Sequence, residues 1–407
     1  MKLSLSQQHG QQRHESLASI KAWRRDIHQY PELGFNEQRT AELVAAKLKG
    51  WGIETHCQIG GTGVVGKLVF GNGGRAIGLR ADMDALPIEE HNTFVHRSCH
   101  QGIFHGCGHD GHTAMLLGAA RQLAALYNSP QADSLDGTVY LVFQPAEEGL
   151  GGAMAMIDDG LFERFPMQAI FGMHNMPGIE VGQFAITEGP IMAAHSLLDI
   201  ELQGKGGHAA MPHECSDPIV VSAAIIQLLQ TLVSRHTDPQ QTAVLSITQV
   251  HAGDAYNVIP HSLKLAGGLR VLDEKLGASI RQRINDTVQA MAELHGMQAT
   301  VSFSESSIVL NNNRQPTLQA IAAATAVVGE HNIAVNTPAI LASEDFAYFL
   351  KEKPGAFIFI GNGDSDQQPM LHHPRYDFND AALIYGVDYW LALTRQQLAA
   401  ASPCRSL

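Results

Sequence analysis

The sequence predicts an α/β protein in which a ferredoxin-like α+β domain interrupts a larger sheet domain. Apolar strand patterns alternate with helical patterns over the first and last parts of the chain, whereas the middle follows the order β-α-β-β-α-β. A chain of 407 residues also exceeds the length at which one hydrophobic core usually keeps growing. We therefore expect a discontinuous domain of residues 1–189 and 307–407 and an inserted domain of residues 190–306.

The outer domain is predicted from short apolar strands that alternate with helices. Because these strands are apolar throughout, we expect helices on both faces of the sheet. In chain order, the predicted elements are helices 15–29 and 37–50, a glycine-punctuated hairpin from Gly60 to Gly74, strand 76–82, helix 112–127, strands 138–143 and 169–173, helix 316–330, strand 356–360 and a helix from Asp380.

The inserted domain is predicted from two capped helices and four strands. Asp217 and Pro218 provide a cap and a first-turn proline for a helix that ends near residue 235. A second helix begins at Asp273, carries one apolar face and ends at Gly296. The predicted strands are 197–202, 243–250, 263–271 and 299–304.

Composition excludes several classes of protein. A formal net charge of −13 argues against nucleic-acid binding, which requires a basic surface. The five cysteines are odd in number and scattered, which indicates no disulfide framework and a reducing, cytoplasmic setting; they are Cys57, Cys99, Cys107, Cys215 and Cys404. The N-terminus has no apolar signal segment and no later window is apolar enough to span a bilayer, so we expect no membrane partner.

The segment His105–His112 concentrates side chains that bind metals. It places one thiol, three imidazoles and one carboxylate within eight residues, and the glycines between them allow the backbone to turn sharply. The Cys-x-His spacing alone matches neither a zinc finger nor a redox motif. The segment is therefore either part of a larger metal site or a polar loop around a buried thiol.

Further candidate ligands follow the predicted strands. In an open α/β sheet the carboxyl ends of parallel strands meet at one edge, where active sites usually lie. Four polar pairs stand at such ends: Asp82 and Asp84, Glu147 and Glu148, His174 and Asn175, and His372 and His373. Together with Cys107 and His109, they supply enough ligands for two metal ions. Of two adjacent carboxylates, one can bind metal while the other acts as a base.

These segments resemble the motifs of the M20 metallopeptidase family, in particular its amidohydrolase branch of hippurate hydrolases, N-acyl-amino-acid amidohydrolases and plant auxin-conjugate hydrolases. The resemblance covers nearly the whole chain and rests on eight ordered motifs: 79–87, 105–112, 143–149, 172–175, 204–210, 257–260, 343–346 and 371–374. It implies a zinc-peptidase-like catalytic domain with a mixed sheet and an inserted lid and dimerisation domain. We therefore expect a homodimer or homotetramer formed through the inserted domain.

The resemblance also implies a site for two divalent ions in each subunit. The implied ligands are Cys107, which bridges the ions, together with His109, Glu148, His174 and His372. His372 is preferred to the adjacent His373 by its position after Leu371. A bridging thiolate favours zinc or manganese, with cobalt and nickel as further candidates. Glu147 is the implied general base, acting on a metal-activated water that hydrolyses the amide bond of a small N-acyl amino acid.

Four side chains near the ligands have other interpretations. Asp84 and Asp110 are expected to orient ligating imidazoles, and the alternative for both, for Asp110 above all, is a helix or turn cap. Asp82 remains a weak candidate ligand, and His112 is expected to pack at the start of a helix.

In the inserted domain, the resemblance implies that three residues act on the substrate. His208 would stabilise the oxyanion of the tetrahedral intermediate. Asn257 and Arg270 would hold the carboxylate of the substrate.

Two other functions stay open at this point. One is a non-catalytic metal-binding relative, against which the presence of Glu147 beside the ligands argues, because a structural metal needs no base. The other is a cysteine hydrolase that uses Cys107 with a histidine, and it differs from the first hypothesis in needing no metal.

Overall fold

The computed structural model of the chain describes residues 5–72, 74–364 and 369–400. Gly73, within the predicted hairpin, and Cys404 lie outside these residues. The chain divides into two compact units. The first comprises Met1–Gly189, Asn311–Pro338 and Tyr348–Leu407, and the second comprises Pro190–Leu310 and Ala339–Ala347.

The boundaries of the second unit differ from the predicted 190–306 in two places. Strand pairing continues to Ser307, and Val309 packs in the core of the second unit. Residues 339–347 also join it, because Ala193 N–H donates to Ala342 O (2.9 Å) and Ile340 N–H donates to Ile191 O (3.0 Å). Residues 339–347 show neither helical nor strand periodicity in their hydrophobic pattern, so the sequence alone could not assign them to the second unit.

The two units contain ten helices and sixteen strands among the described residues. The helices are α1 Leu5–Gln29, α2 Gln38–Gly50, α3 His109–Tyr127, α4 Gly152–Asp158, α5 Leu161–Arg164, α6 Pro218–Ser234, α7 Glu274–Leu294, α8 Arg314–Val328, α9 Phe346–Glu352 and α10 Leu383–Gln397. The strands are β1 Glu54–Ile59, β2 Gly63–Phe70, β3 Ala76–Asp82, β4 Gly137–Gln144, β5 Ala169–Met176, β6 Phe184–Ile186, β7 Gly189–Met192, β8 Ala194–Gln203, β9 Gly207–His208, β10 Ala243–His251, β11 Val258–Ile259, β12 Ser262–Val271, β13 Gln298–Ser307, β14 Leu310–Asn312, β15 Ile333–Val335 and β16 Gly355–Gly361.

The secondary structure agrees with most of the predicted elements. Each of the eight predicted strands lies inside an observed one, and the predicted helices correspond to α1, α2, α3, α6, α7, α8 and α10. Helix α1 begins at Leu5, earlier than predicted, and a 3₁₀ turn over Asp380–Ala382 precedes α10. The short elements α4, α5, β6 and β15 were not predicted, because three to seven residues are too few to show a period.

The first unit is built on an eight-stranded mixed sheet in the order β1-β2-β4-β3-β5-β16-β6-β15. Its centre, β4-β3-β5-β16, is parallel, and β1 and β2 extend it as antiparallel strands. All seven residues of β3 and of β16 are buried. Because consecutive strand residues point to opposite faces, both faces of the sheet centre are covered, which confirms the predicted α/β class.

The second unit has the strand order of a ferredoxin-like domain. Its four-stranded sheet runs β10-β12-β8-β13, and every neighbouring pair is antiparallel. The core combines alternate residues of these strands, such as Leu198, Ile200 and Leu202, with apolar residues of α6 and α7. Asp217 caps α6 by accepting from Ile219 N–H, and Asp273 caps α7 by accepting from Leu276 N–H, as predicted.

None of the helices in the described part of the chain combines the length and the apolar character that a bilayer span requires.

Candidate metal centre

The candidate site lies at the carboxyl edge of the parallel strands in the first unit. Strand β3 ends at Asp82 directly opposite Gln144, the last residue of β4. On β5, His174 lies opposite Phe359 of β16. The polar segments after Asp82 and Gln144 and the end of β5 therefore leave the sheet side by side, as expected for an open α/β sheet.

The Cys107–His109 turn is shaped by one glycine. Gly108 has a φ of 89°, a left-handed conformation that favours glycine, and it precedes the first residue of α3. A Cβ at this position would collide with the side-chain amide of Asn175 and the hydroxyl of Tyr376. The turn therefore brings Cys107 and His109 together in the buried interior, and a larger residue would separate them from the other ligands.

The predicted ligands converge in three overlapping groups whose donor atoms lie within 4.8 Å of one another. The groups are Cys107, His109 and His174; Cys107, Glu148 and His372; and His109, Glu147 and Glu148. Cys107 belongs to two of the groups. This is the arrangement that a thiolate shared between two cations requires.

Two buried atoms at the centre of the cluster fit a bound cation. Neither His109 Nε2 nor Glu148 Oε1 has a hydrogen-bond partner among the described residues, although both are buried. They lie 3.9 Å apart. Buried polar atoms are normally satisfied, so a pair of electron-donating atoms left open toward each other indicates a site for a positive ion.

Asp84 organises the centre through both of its oxygens. His109 Nδ1–H donates to Asp84 Oδ1 (3.1 Å), and the backbone N–H of Glu148 donates to Asp84 Oδ2 (2.9 Å). The first bond leaves Nε2 as the free nitrogen of His109, which is the expected supporting role of Asp84. The second ties the Glu148 segment to the same carboxylate.

His174 is oriented in the same way by a backbone carbonyl. Its Nδ1–H donates to Asn175 O (2.6 Å), so its Nε2 carries the free lone pair and lies 3.3 Å from Cys107 Sγ. Burial lowers the pKa of His174 well below its usual value, with nearby His112 adding to the effect. A neutral imidazole with a free Nε2 is the form that binds metals.

Of the two adjacent histidines, the structure places His372 at the cluster. Its Nε2 lies 3.4 Å from Glu148 Oε1, while its backbone N–H donates to Gly106 O (2.8 Å). His372 has a φ of 64°, unusual for a residue other than glycine. His373 instead accepts a bond at Nδ1 from the N–H of Arg375 (3.1 Å) within its own turn.

Asp82 and His112 belong to a buried chain of hydrogen bonds behind the cluster. His112 Nδ1–H donates to Asp82 Oδ1 (2.6 Å), and its Nε2 accepts from the N–H of Asn175 (3.0 Å). Arg80 donates to the other oxygen of Asp82 (2.6 Å). Because these bonds engage both nitrogens of His112, that imidazole has no open electron pair, and His112 packs at the start of α3 as predicted. Asp82 stays a candidate ligand, because its Oδ2 lies 3.8 Å from His109 Nε2 and a carboxylate oxygen can accept a hydrogen bond and still bind a cation.

Sequence reasoning named Asn175 beside His174 but gave it no role, and it missed Tyr376, the next residue in this chain of hydrogen bonds. Asn175 donates through Nδ2 to Cys107 O (2.7 Å), and its Oδ1 accepts from the hydroxyl of Tyr376 (2.5 Å). Their only sequence signal is that they neighbour His174 and the His372 segment. Together they connect the end of β5 with the Cys107 turn and with the segment that carries His372.

The structure differs from the predicted role of Asp110. Its Oδ2 accepts from His28 Nδ1–H (2.8 Å) and from Arg24 (3.3 Å), two residues of α1, and not from a candidate ligand imidazole. The reason is helical geometry, because Asp110 follows His109 on α3 and adjacent helix residues point in different directions. Asp110 therefore fixes α1 to the start of α3.

Glu147 stands beside the ligand cluster on a turn of unusual backbone conformation. The preceding residue, Ala146, has a φ of 52°. The side chain of Glu147 is 9% exposed, and its Oε2 lies 3.9 Å from His109 Nε2. Its neighbour Glu148 lies equally close to His109 Nε2 (3.9 Å) and is also 3.4 Å from His372 Nε2, so both adjacent carboxylates line the cluster and only Glu148 also contacts His372.

The electrostatics of the centre favour cations. Burial, together with the carboxylates of Glu148, Glu147 and Asp82, raises the pKa of Cys107 well above its usual value. Burial alone would lower the pKa of His109, but Asp82 and Asp84 raise it to about 10. Both shifts express an excess of buried negative charge. A bound cation would offset this charge and favour the thiolate and the neutral imidazole.

The oxyanion candidate His208 and the two substrate-binding candidates, Asn257 and Arg270, all lie in the second unit. His208 is exposed on β9 opposite Val258 of β11, and the N–H of Ala210 donates to His208 Nδ1 (3.1 Å). Asn257 is also exposed, and its carbonyl accepts from Ala209 N–H (3.0 Å), so it lies beside His208. Arg270 is half-buried on β12 and donates to Leu341 O (2.7 Å).

Known proteins resemble this chain over nearly its whole length. A model of the peptidase family M20/M25/M40 matches residues 78–396. The hippurate hydrolase of Campylobacter jejuni is 40% identical over 375 residues, which cover 92% of this chain and 95% of that protein. The N-acetyl-L-cysteine deacetylase of Bacillus subtilis is 39% identical over 363 residues, which cover 89% of this chain and 84% of that protein.

A solved structure extends the resemblance to the fold. The YXEP protein of Bacillus subtilis, a dinuclear metal-binding peptidase of the M20 family, is 30% identical with a TM-score of 0.82. The match covers 95% of this chain and 99% of that one. These findings confirm the predicted family and the fold class. The chain belongs to the M20 metallopeptidase family, within its amidohydrolase branch, and is a metal-dependent hydrolase of amide bonds.

Proposed function

We propose that this protein hydrolyses the amide bond of N-acyl amino acids, with two divalent ions held by Cys107, His109, Glu148, His174 and His372. The observation that carries the proposal is the pair of ligand groups that share Cys107, with Glu147 beside them. The relatives add the substrate class, since they include a hippurate hydrolase and an N-acetyl-L-cysteine deacetylase. Zinc or manganese suits a set of thiolate, imidazole and carboxylate ligands, with cobalt and nickel as alternatives.

In this proposal Glu147 moves the proton. When bound, the two ions would supply Lewis acidity, which acidifies a water molecule and polarises the amide carbonyl. The Glu147 carboxylate takes one proton from the attacking water and gives it to the leaving nitrogen. One water is consumed, and the products are a carboxylic acid and a free amino acid. The confined position of Glu147, 9% exposed, limits competition from bulk water for that proton.

His208 is proposed to stabilise the oxyanion. Because His208 Nδ1 accepts from the N–H of Ala210, the neutral ring carries its proton on Nε2. That N–H is an available donor on an exposed ring, the form needed to stabilise negative charge on the carbonyl oxygen. Asn257 and Arg270 are proposed to hold the carboxylate of the substrate.

A cysteine hydrolase would need a reactive thiolate paired with an imidazolium. Here the pKa of Cys107 is raised by burial and nearby carboxylates, whereas burial lowers that of His174, its neighbour at 3.3 Å. Both shifts favour the neutral pair, opposite to what nucleophilic catalysis requires. The metal-dependent reaction therefore has the stronger support.

The test is a hydrolysis screen of hippurate, N-acetyl-L-cysteine and indole-acetyl amino acids with metal-depleted enzyme. We expect no release of amino acid after complete chelation and recovery on addition of zinc, manganese, cobalt or nickel. Activity that survives complete metal removal would contradict the proposal. Sedimentation of the same preparations tests the further expectation of a homodimer or homotetramer formed through the second unit.

A further inference from the structure

Glu37 is a buried carboxylate of the first unit that the proposed reaction does not use. It precedes α2, and its exposure is 0%. Its Oε1 accepts from the backbone N–H of Ala146 (2.7 Å), and its Oε2 accepts from the hydroxyl of Thr62 (2.6 Å). Glu37 and Ala146 lie 109 residues apart in the sequence, so this contact exists only in the folded chain.

Glu37 does not serve its own helix. Although it occupies the cap position of α2, its side chain makes no capping bond. Glu32 performs that role, because its carboxylate accepts from the N–H groups of Arg39 (3.0 Å) and Thr40 (2.9 Å). The carboxylate of Glu37 is therefore directed away from α2 and toward the turn that precedes Glu147.

Burial of this carboxylate is costly. No ion pair to Glu37 is found in the described part of the chain, and its carboxylate accepts from two uncharged groups, the Thr62 hydroxyl and the Ala146 N–H. Burial, with a smaller contribution from the charge of Asp84, raises the pKa of Glu37 to about 7. A buried acid that is paired only with neutral donors weakens folding, so its benefit must lie elsewhere.

The turn that Glu37 contacts leads directly into Glu147 and Glu148, the proposed base and the proposed ligand. Ala146 has a φ of 52°, which is strained for a residue with a Cβ. Other hydrogen bonds also hold the turn, since Gly152 N–H donates to Ala146 O (3.0 Å) and Glu148 N–H donates to Asp84 Oδ2 (2.9 Å). Glu37 supplies the bond to the N–H of Ala146 itself.

We propose that Glu37 is a positioning residue that holds Ala146 in its strained conformation and thereby directs Glu147 and Glu148 into the metal centre. This inference rests on the proposed function, because Glu147 is its proposed base. The packing of Gly34 supports it. A Cβ at Gly34 would lie 3.0 Å from both Cα and Cβ of Ala146, so the segment that carries Glu37 fits closely against this turn.

The test compares Glu37→Ala, Glu37→Gln and Thr62→Val by kcat, KM, metal content and amide hydrogen exchange at Ala146. Glutamine can keep both contacts, since its carbonyl accepts from Ala146 N–H and its amide donates to Thr62. Thr62→Val is the matched control, because it removes the other bond to the same carboxylate.

We expect Glu37→Ala to lower kcat by roughly 10²-fold with little change in KM, because the base is misplaced. Exchange of the Ala146 amide should become roughly tenfold faster. Glu37→Gln and Thr62→Val should retain the wild-type kcat and the wild-type exchange. If Glu37→Ala does not fold, Glu37→Asp, whose carboxylate falls short of Ala146, replaces it with the same expectations.

Unchanged exchange at Ala146 in Glu37→Ala would overturn the inference. So would a Glu37→Gln variant as impaired as Glu37→Ala, since the effect would then come from charge and not from the hydrogen bond. Hydrogen exchange requires no turnover. A wild-type protein without amidase activity would therefore defeat the proposed function, while the exchange comparison would still decide whether Glu37 holds the turn.

Discussion

The two units of this protein use histidine in opposite ways. In the first unit, His109 and His174 are buried and donate through Nδ1 to a carboxylate and a carbonyl, which leaves an electron pair on Nε2. In the second unit, His208 is exposed and accepts at Nδ1 from a backbone N–H, which leaves a proton on Nε2. The first arrangement suits a cation, whereas the second suits a developing anion.

The partner of Nδ1 therefore determines whether an imidazole offers an electron pair or a proton at Nε2. Among the buried histidines, His109 obtains its partner from Asp84, 25 residues away, and His174 obtains its own from the carbonyl of the adjacent Asn175. His208 obtains its partner from a residue two positions along the chain. We therefore expect substitutions on the metal side to affect metal binding together with catalysis, and substitutions at His208 to affect catalysis alone.

The largest expected effect is on kcat, and it distinguishes the proposed base Glu147 from the proposed ligand Glu148 in the first unit. Glu147→Gln should lower kcat by about 10²–10⁴-fold while metal content stays unchanged, because the change removes a base and not a ligand. The matched variant Glu148→Gln should lose metal. Turnover and metal analysis of the purified variants measure both effects, and normal turnover in Glu147→Gln would refute its role.

The second prediction concerns the exposed histidine of the second unit. His208→Ala should lower kcat by about 10²–10³-fold, with a smaller effect on KM and none on metal content, because an oxyanion donor is lost. His213→Ala, another exposed histidine of this unit, serves as the control and should behave as wild type. An effect of His208→Ala confined to KM would count against the oxyanion role.

The third prediction tests the buried charges that join α1 to the metal side. Burial alone would lower the pKa of His28, but Asp110 and Glu90 raise it from 6.5 to about 9. A raised folded-state pKa stabilises the protein fully below pH 6.5, and this stabilisation is lost as the pH rises through 9.

Between these pH values the free energy of unfolding should fall by up to about 3 kcal/mol. Urea titrations at both pH values should show a smaller decline for His28→Asn, which cannot titrate. Equal declines in the variant and the wild type would show that His28 does not carry the effect.

The smallest expected effect concerns the hydrogen-bond chain behind the ligands. Tyr376→Phe removes the donor to Asn175 Oδ1 and should weaken metal affinity roughly tenfold, because Asn175 also holds the Cys107 turn. Tyr389→Phe is the control, since Tyr389 is also buried but its hydroxyl has no hydrogen-bond partner among the described residues. Competition with a chromophoric chelator measures both affinities, and equal losses would show that the bond to Asn175 is unimportant.

Much of the fold follows from local patterns in the sequence. The buried strands β3, β4, β5 and β16 are short apolar runs, and the caps of α6 and α7 are visible as Asp217 and Asp273. The residues that converge at the sheet edge were also predictable, because parallel strands deliver their following residues to one place. The return of residues 339–347 to the second unit was not, since no periodicity marks it.

The sequence by itself determined the fold class, the family and the residue types that gather at the carboxyl edge, because strand periodicity and ordered motifs are local properties. Only the tertiary structure decided which partner each polar side chain meets. It joined Asp110 to α1 and brought Glu37 to Ala146. Such contacts connect residues far apart in the chain, and hydrogen bonds depend on distances and angles that residue order does not specify.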